Sequence, residues 1–183
     1  RMPNGCHCKP DKTRLGGAAA LAELDTLVDD GDLPLIAEGY GGPVELPAKL
    51  FGNTGDVSDA FYQFSVEPLC EWFGLDDPVR ADEFGLDTVW DSSIGQYVQL
   101  RPHDKVFPVF LGMPQGWAWA LHFCNTAVEY GMSKSIPAMQ HLKEGLPAPD
   151  IRRGPVSSVY VDNICALGLV ESAVDKSFDE AID

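Results

Sequence analysis

Hydrophobic and polar positions change their period several times along the chain. In Gly16–Asp29 (GGAAALAELDTLVD), Leu21, Leu24, Leu27 and Val28 recur at helical spacing among alanines, which predicts a helix. Gly31–Leu46 is broken by Gly and Pro and reads as a connection. From Ala48 the period shortens: Leu50–Val57 predicts a strand running into an acidic turn that holds Asp56 and Asp59, and Phe61–Val66 resumes it. Residues 75–95 are rich in Asp, Gly and Ser and read as a solvent-exposed insertion. Tyr97–Leu100 and Val106–Leu111 then predict two strands paired as a hairpin.

Pro114 opens the longest helical stretch, Gln115 to about Tyr130, with Trp117, Leu121, Cys124 and Val128 on one stripe. Trp117 and Trp119 are too close in sequence to share a helix face, so at most one joins that stripe; the other is free to stack on a base or pack on a neighbouring domain. Residues 143–155 hold three Pro, two Gly and the pair Arg152-Arg153, and predict a loop. Ser158–Leu167 is apolar on both sides of a polar centre, which predicts two buried strands turning at Asp162-Asn163. Residues 170–183 predict a last, acidic amphipathic helix, and residues 1–15 are irregular. This order of elements gives a mixed α+β fold.

Charge narrows the function. Thirteen Lys and Arg against 28 Asp and Glu leave a net charge of −15, which disfavours a self-sufficient binder of nucleic acid or of an anionic membrane. No apolar run approaches the roughly 18–20 residues of a membrane span, and no leader pattern directs the chain to secretion. The five cysteines are odd in number and scattered, which fits a reducing, intracellular compartment, cytoplasm or nucleus. Cys6-His7-Cys8 could ligate a metal, but no second Cys/His pair follows, so a loop is the plainer reading. A chain that starts at Arg1 and stops at Asp183 inside a helical pattern is expected to be a fragment of a longer parent.

The chemistry is expected where buried strands end in carboxylates. An Asp at the end of an apolar strand is costly to bury without a cation or hydrogen-bond donors. Either Asp56 or Asp162 alone is an ordinary turn former. Brought side by side in one sheet, the two would share a divalent ion; oxygen-only ligands favour Mg²⁺ or Mn²⁺, the layout of a two-metal phosphoryl-transfer centre.

Three segments add a resemblance. Gly55-Asp56-Val57-Ser58-Asp59-Ala60-Phe61-Tyr62-Gln63, Met113-Pro114-Gln115-Gly116-Trp117-Ala118-Trp119-Ala120 and Val159-Tyr160-Val161-Asp162-Asn163 resemble, in order, motifs A, B and C of reverse transcriptases from retrotransposon-type elements. Arg1-Met-Pro-Asn4 and Lys9-Pro-Asp-Lys-Thr13 look like the end of the fingers motif that precedes motif A. The resemblance implies residues 1–47 as the end of the fingers with a connecting helix. It implies residues 48–183 as a polymerase palm, a ferredoxin-like antiparallel sheet with helices on one face, carrying motif A (55–63), the insertion (75–95), motif B (113–120) and motif C (159–163).

Carried over by position, Asp56 and Asp162 would be the catalytic carboxylates holding two Mg²⁺ (or Mn²⁺), with the carbonyl of Val57 as a further ligand. Asp59 and Ala60 would bring backbone amides to the triphosphate, and Phe61 would lie under the sugar and exclude a 2′-hydroxyl. Gln115 and Gly116 would approach the incoming nucleotide, and Tyr160 the primer end. The implied activity is addition of deoxynucleotides to a primer on an RNA or DNA template, with fingers and thumb supplied by the parent polyprotein. Asn163 departs from the family, which most often has a second Asp there. Lys9, Lys12 and Arg14, and Arg152-Arg153, are the nearest basic clusters. Two other readings stand beside this one. One is a catalytically impaired palm-like remnant that binds nucleic acid or protein, and the other a nucleotide cyclase, against which the motif B segment argues.

Overall fold

The structure, a computed structural model, describes residues 10–44, 46–91, 93–136 and 139–182. In chain order the elements are helices α1 (Ala18–Leu21) and α2 (Leu33–Tyr40), strand β1 (Phe51–Asp56), helix α3 (Ala60–Gln63), strands β2 (Val79–Arg80), β3 (Thr88–Asp91), β4 (Gln96–Gln99) and β5 (Lys105–Val106), helix α4 (Ala120–Ser135), strands β6 (Gln140–Leu142), β7 (Val156–Tyr160) and β8 (Asn163–Gly168), and helix α5 (Glu171–Ile182). Mixed α+β is the observed class. Residues 62–114 form one compact unit, and residues 10–61 with 115–182 form the other. Among the described residues no helix is long and apolar enough to cross a membrane. Cys70, Cys124 and Cys165 carry free thiols. Cys6-His7-Cys8 and Lys9 lie outside the described residues.

The second unit is built on a sheet of order β1-β8-β7-β6. β1 and β7 both run antiparallel to β8, whereas β6 runs parallel to β7, so the expected all-antiparallel sheet is corrected to a mixed one. β6 spans only Gln140–Leu142, too short to stand out as an alternating pattern. Side chains alternate across a strand. Val159, Ile164 and Ala166 accordingly face one side, where they pack with Met132 of α4 and with Val174 and Phe178 of α5. Burying side chains of this size contributes about 1.5–3 kcal/mol each.

Helices are not confined to that face. Val156 and Leu167, on the opposite side by alternation, join Ile36 of α2, Ile151 and Leu169 in a second cluster. α2 falls where the breakers Pro34 and Gly39 predict a connection. Pro34 sits in the first turn, where it removes no hydrogen bond, and Gly41 at φ 69° ends the helix in the left-handed conformation that glycine adopts without strain. Gly39 lets the helix lie on the backbone of Arg153: a Cβ there would stand 2.5 Å from that residue's carbonyl carbon and oxygen. Tyr40 fixes the contact, its hydroxyl donating to the Ile151 carbonyl at 2.7 Å and accepting from the Leu169 amide at 3.0 Å. Burial pushes this phenol up to about 12.

The helix expected over Gly16–Asp29 is one turn, Ala18–Leu21. The sheet captures the chain just before it: the Gly16 amide donates to the Val159 carbonyl at 2.8 Å, and the Ser158 hydroxyl donates to the Gly16 carbonyl. Leu24 and Val28 pack on the α2 cluster without a helix.

The 62–114 unit is a set of nested antiparallel pairs. β3 pairs with β4 and β2 with β5, while isolated bridges join Gly74 to Val109 and Ser65 to Gly112. The expected hairpin of Tyr97–Leu100 with Val106–Leu111 does not form, because each of these segments folds back on an earlier one. The 75–95 stretch thus contributes β2 and β3, the latter tied to β4 by the edge-to-face pair Trp90–Tyr97 at 5.3 Å. The strand expected over Phe61–Val66 is replaced by the turn of α3 and, from Glu67, a 3-10 helix.

Candidate functional site

Gly55 and Asp56 close β1, and their alternation sets the site. A Cβ on Gly55 would meet Phe178 at 2.8 Å, so position 55 faces α5 and the Asp56 side chain belongs to the opposite, exposed face. Asp56 pairs with Asn163, and Asn163 pairs with Tyr160. Their neighbours Ile164 and Val159 point into the helix core. Asp56, Asn163 and Tyr160 therefore form a row across three strands, on the face turned away from α4 and α5, at spacings of about 5 Å between neighbours.

The reversal linking β7 to β8 is Val161-Asp162, one position earlier than the turn predicted from sequence, and Asn163 is already the first residue of β8. The turn is tied to its surroundings by three hydrogen bonds. The Asp162 carbonyl accepts from the Val57 amide at 2.9 Å, joining the end of β1 to the turn. The Asp162 carboxylate accepts from Asn163 Nδ2 at 2.9 Å. The Val161 amide donates to Asn125 Oδ1 at 3.0 Å. Asp56 and Asp162, over a hundred positions apart in sequence, are thus delivered to neighbouring points at one end of the sheet.

Backbone strain gathers at the same place. Among the described residues, the non-glycine residues with positive φ are Asp59 at 52° and Val161 at 62°. Such a conformation is unfavourable for a β-branched residue, and strain of this kind concentrates at functional sites. The turn after β1 is closed by the Ala60 amide donating to the Val57 carbonyl at 3.2 Å. That bond leaves the carbonyl a second lone pair for a cation, and it engages the Ala60 amide within the turn. Phe61 is half-buried and Tyr160 exposed.

Gln115 and Gly116 are exposed in the segment ahead of α4, Gly116 at φ 87°. Trp117 is buried, and the half-buried Trp119 stacks on Phe123 at 5.5 Å. The buried face of α4 is Ala120, Cys124, Asn125 and Met132, whereas Leu121 of the predicted stripe is exposed. Burial, reinforced by the negative charge of Asp162, pushes the Cys124 thiol up to about 11 and keeps it neutral.

The basic candidates are engaged elsewhere. Lys12 pairs with Glu144 at 3.0 Å and Arg14 donates to the Gly145 carbonyl at 2.9 Å. Arg152 lies among Asp150, Asp32 and Asp25, and Arg153 pairs with Asp150.

Sequence reading missed Asn125. The signal was a lone amide inside the stripe of Cys124, Val128 and Met132: a polar group there must be hydrogen-bonded, so its partner marks a fixed point of the structure.

The donor set suits a hard divalent cation. Among the described residues no group of three or more His, Cys, Asp and Glu side chains forms a cage. Two carboxylates and a carbonyl are nevertheless what Mg²⁺ takes from protein when water and phosphate complete its shell. A cleft of about 550 Å³ opens at the same end of β1 but on its other side, where Gly55, Ile164 and Phe178 face Val128 and Gly131 of α4, so it is separate from the row that Asp56 forms with Asn163 and Tyr160. Compared with known proteins, the chain matches no family model and no curated protein.

Proposed function

We propose that this chain carries the palm of a reverse-transcriptase-type polymerase, adding deoxynucleotides to a primer on an RNA or DNA template. The observation that carries the reading is the meeting of β1 and the β7–β8 hairpin, which sets Asp56 against Asn163 and the Val57 amide against the Asp162 carbonyl. The two strained residues, Asp59 and Val161, support it.

Asp56, Asp162 and the Val57 carbonyl would hold Mg²⁺ or Mn²⁺, which when bound supplies charge neutralisation for a triphosphate and an acidified primer hydroxyl. The protein's own part is positional. The Val57–Asp162 hydrogen bond fixes the spacing of the two strands that bear the acids. Tyr160, in one row with Asp56, offers an exposed phenol on the face where a primer end would lie. Phe61 follows the strained Asp59 and would present its ring beneath the sugar. The fingers and thumb of a parent polyprotein would supply the cationic surface, and membrane attachment forms no part of this reading.

A second reading is favoured by one observation. Lys12, Arg14, Arg152 and Arg153 are held by carboxylates and carbonyls of the chain itself, and Asn163 stands where a second acid would strengthen the metal field. Both fit a palm-like remnant that binds nucleic acid or protein without catalysis.

Asp56→Asn in the parent protein separates the two. The polymerase reading expects Mg²⁺-dependent primer extension to fall by about a hundredfold or more. Extension that is undiminished in Asp56→Asn removes the catalytic assignment.

A further inference from the structure

α4 carries an amide where its inward face is otherwise apolar. Asn125 is 1% exposed, next to Cys124, and every polar atom of its side chain is placed. Oδ1 accepts from the Val161 amide at 3.0 Å, and Nδ2 donates to Glu129 Oε1 at 3.1 Å, one helical turn on. Glu129 is held in turn by Lys143, whose Nζ lies 2.7 Å from Oε2. The order of this relay fixes which way the amide points. Glu129 only accepts, so Nδ2 must face it and Oδ1 must face the hairpin.

The residue at the receiving end is Val161, with φ 62° and 7% exposed. A valine reaches the left-handed region only when its surroundings impose it. Asn125 is the side chain that grips its amide. The following peptide is that of Asp162, whose carbonyl must meet the Val57 amide and whose carboxylate must meet Asn163. If Val161 relaxed to negative φ, the peptide plane would rotate and both contacts would be lost.

We infer that Asn125 is the positioning residue for Asp162: through the Val161 amide it holds the hairpin turn in the strained conformation from which the carboxylate is presented beside Asp56. The inference rests on the polymerase reading for its functional consequence, but its structural part stands apart from it. Glu129 and Lys143 orient Asn125, so the clamp reaches from the segment after β6 to the candidate metal ligands.

The test uses the full chain with Mn²⁺ as probe, its binding followed by electron paramagnetic resonance, together with amide hydrogen exchange at Val161. Asn125→Ala is expected to accelerate Val161 exchange by about tenfold more than exchange within β8, and to weaken Mn²⁺ binding several-fold. Asn125→Asp keeps the acceptor for Val161 while losing the donor to Glu129. Its Val161 amide is expected to exchange within about threefold of the native rate, and this comparison with the native chain stands where the alanine variant fails to fold; acceleration confined to Val161 in Asn125→Asp overturns the clamp. In a Val161→Gly background, where positive φ carries no strain, Asn125→Ala is expected to weaken Mn²⁺ binding less than it does in the native chain.

Unchanged Val161 exchange in Asn125→Ala overturns the clamp. Accelerated exchange with unchanged Mn²⁺ affinity overturns its link to Asp162. If the native chain binds no Mn²⁺, the metal-dependent reading of the site falls and the consequence for Asp162 falls with it, while the exchange arm still decides whether Asn125 holds the turn.

Discussion

Asp56, the last residue of β1, stands directly opposite Asn163, the first residue of β8. Asn163 also donates to the Asp162 carboxylate, so one neutral amide lies between the two candidate metal ligands. Asn163→Asp would place three carboxylates together. It is expected to lower stability by up to about 1 kcal/mol in the absence of divalent ions, through like-charge repulsion across the strands. Mg²⁺ should then raise the melting temperature more than in the native chain. Thermal unfolding of both forms with and without Mg²⁺ measures this, and a melting temperature indifferent to Mg²⁺ in both would count against a cation site.

Phe61 follows Asp59, whose φ of 52° sets the direction of the chain out of β1. If its ring excludes a 2′-hydroxyl, Phe61→Ala should raise ribonucleotide incorporation relative to deoxynucleotide by about tenfold or more, the usual worth of a steric pocket. Competition between the two sugars in a primer-extension assay of the parent protein reads the ratio directly. An unaltered ratio would assign Phe61 to packing alone.

His141 carries a pH dependence with a definite sign. Its Nδ1 lies 2.5 Å from Ser157 Oγ and its Nε2 lies 2.9 Å from Ser133 Oγ. The Ser133 hydroxyl donates to the Glu129 carbonyl, so it accepts from Nε2–H, and Nδ1 accepts from Ser157. Burial depresses the affinity of this ring for a second proton, against the pull of Glu129 and with the help of Lys143. The unfolded chain therefore takes up the proton first, and the contribution to stability, full above about pH 6.5, is lost as pH falls below that value. Denaturant unfolding between pH 7 and pH 5 should show the loss, and His141→Gln should flatten it.

Gly39 and Gly41, two positions apart, resist an alanine for different reasons and to different degrees. A Cβ at 39 meets the backbone of Arg153 at 2.5 Å, which cannot move aside, so Gly39→Ala should destabilise by about 1–3 kcal/mol despite its better helix propensity. A Cβ at 41 meets open space, and Gly41→Ala should cost only about 1 kcal/mol, from its φ of 69°. Chemical denaturation of the two variants ranks them; a milder effect at 39 would mean that α2 is free to shift.

Those two glycines also show where sequence reading succeeds and where it stops. β1, β7, β8 and α5 were legible because apolar runs or amphipathic spacing survive in each. That Asp56 and Asp162 close two such strands was legible, but that those strands lie side by side was only a condition, which the register of β1 on β8 supplies. α2 was hidden because Pro34 and Gly39 look like breakers; their use, a first-turn proline and a close approach to Arg153, depends on a partner over a hundred residues away. The pairing of β2 with β5 and β3 with β4 was hidden for a related reason: strands of two to four residues carry too little pattern to choose a mate. Asn125 escaped notice because its meaning lies in the strained residue it holds, and strain has no signature in composition.

The bridge between Ser65 and Gly112 has a bearing on how this chain tolerates change. It closes the 62–114 excursion at its own base, where the Tyr62 Cα would lie 3.5 Å from a Cβ on Gly112. The entropy of forming so long a loop is met inside the loop, and because closure entropy grows only slowly with length, residues can be gained or lost beyond that base at little cost to the rest of the chain. Length variation among natural variants should accumulate there.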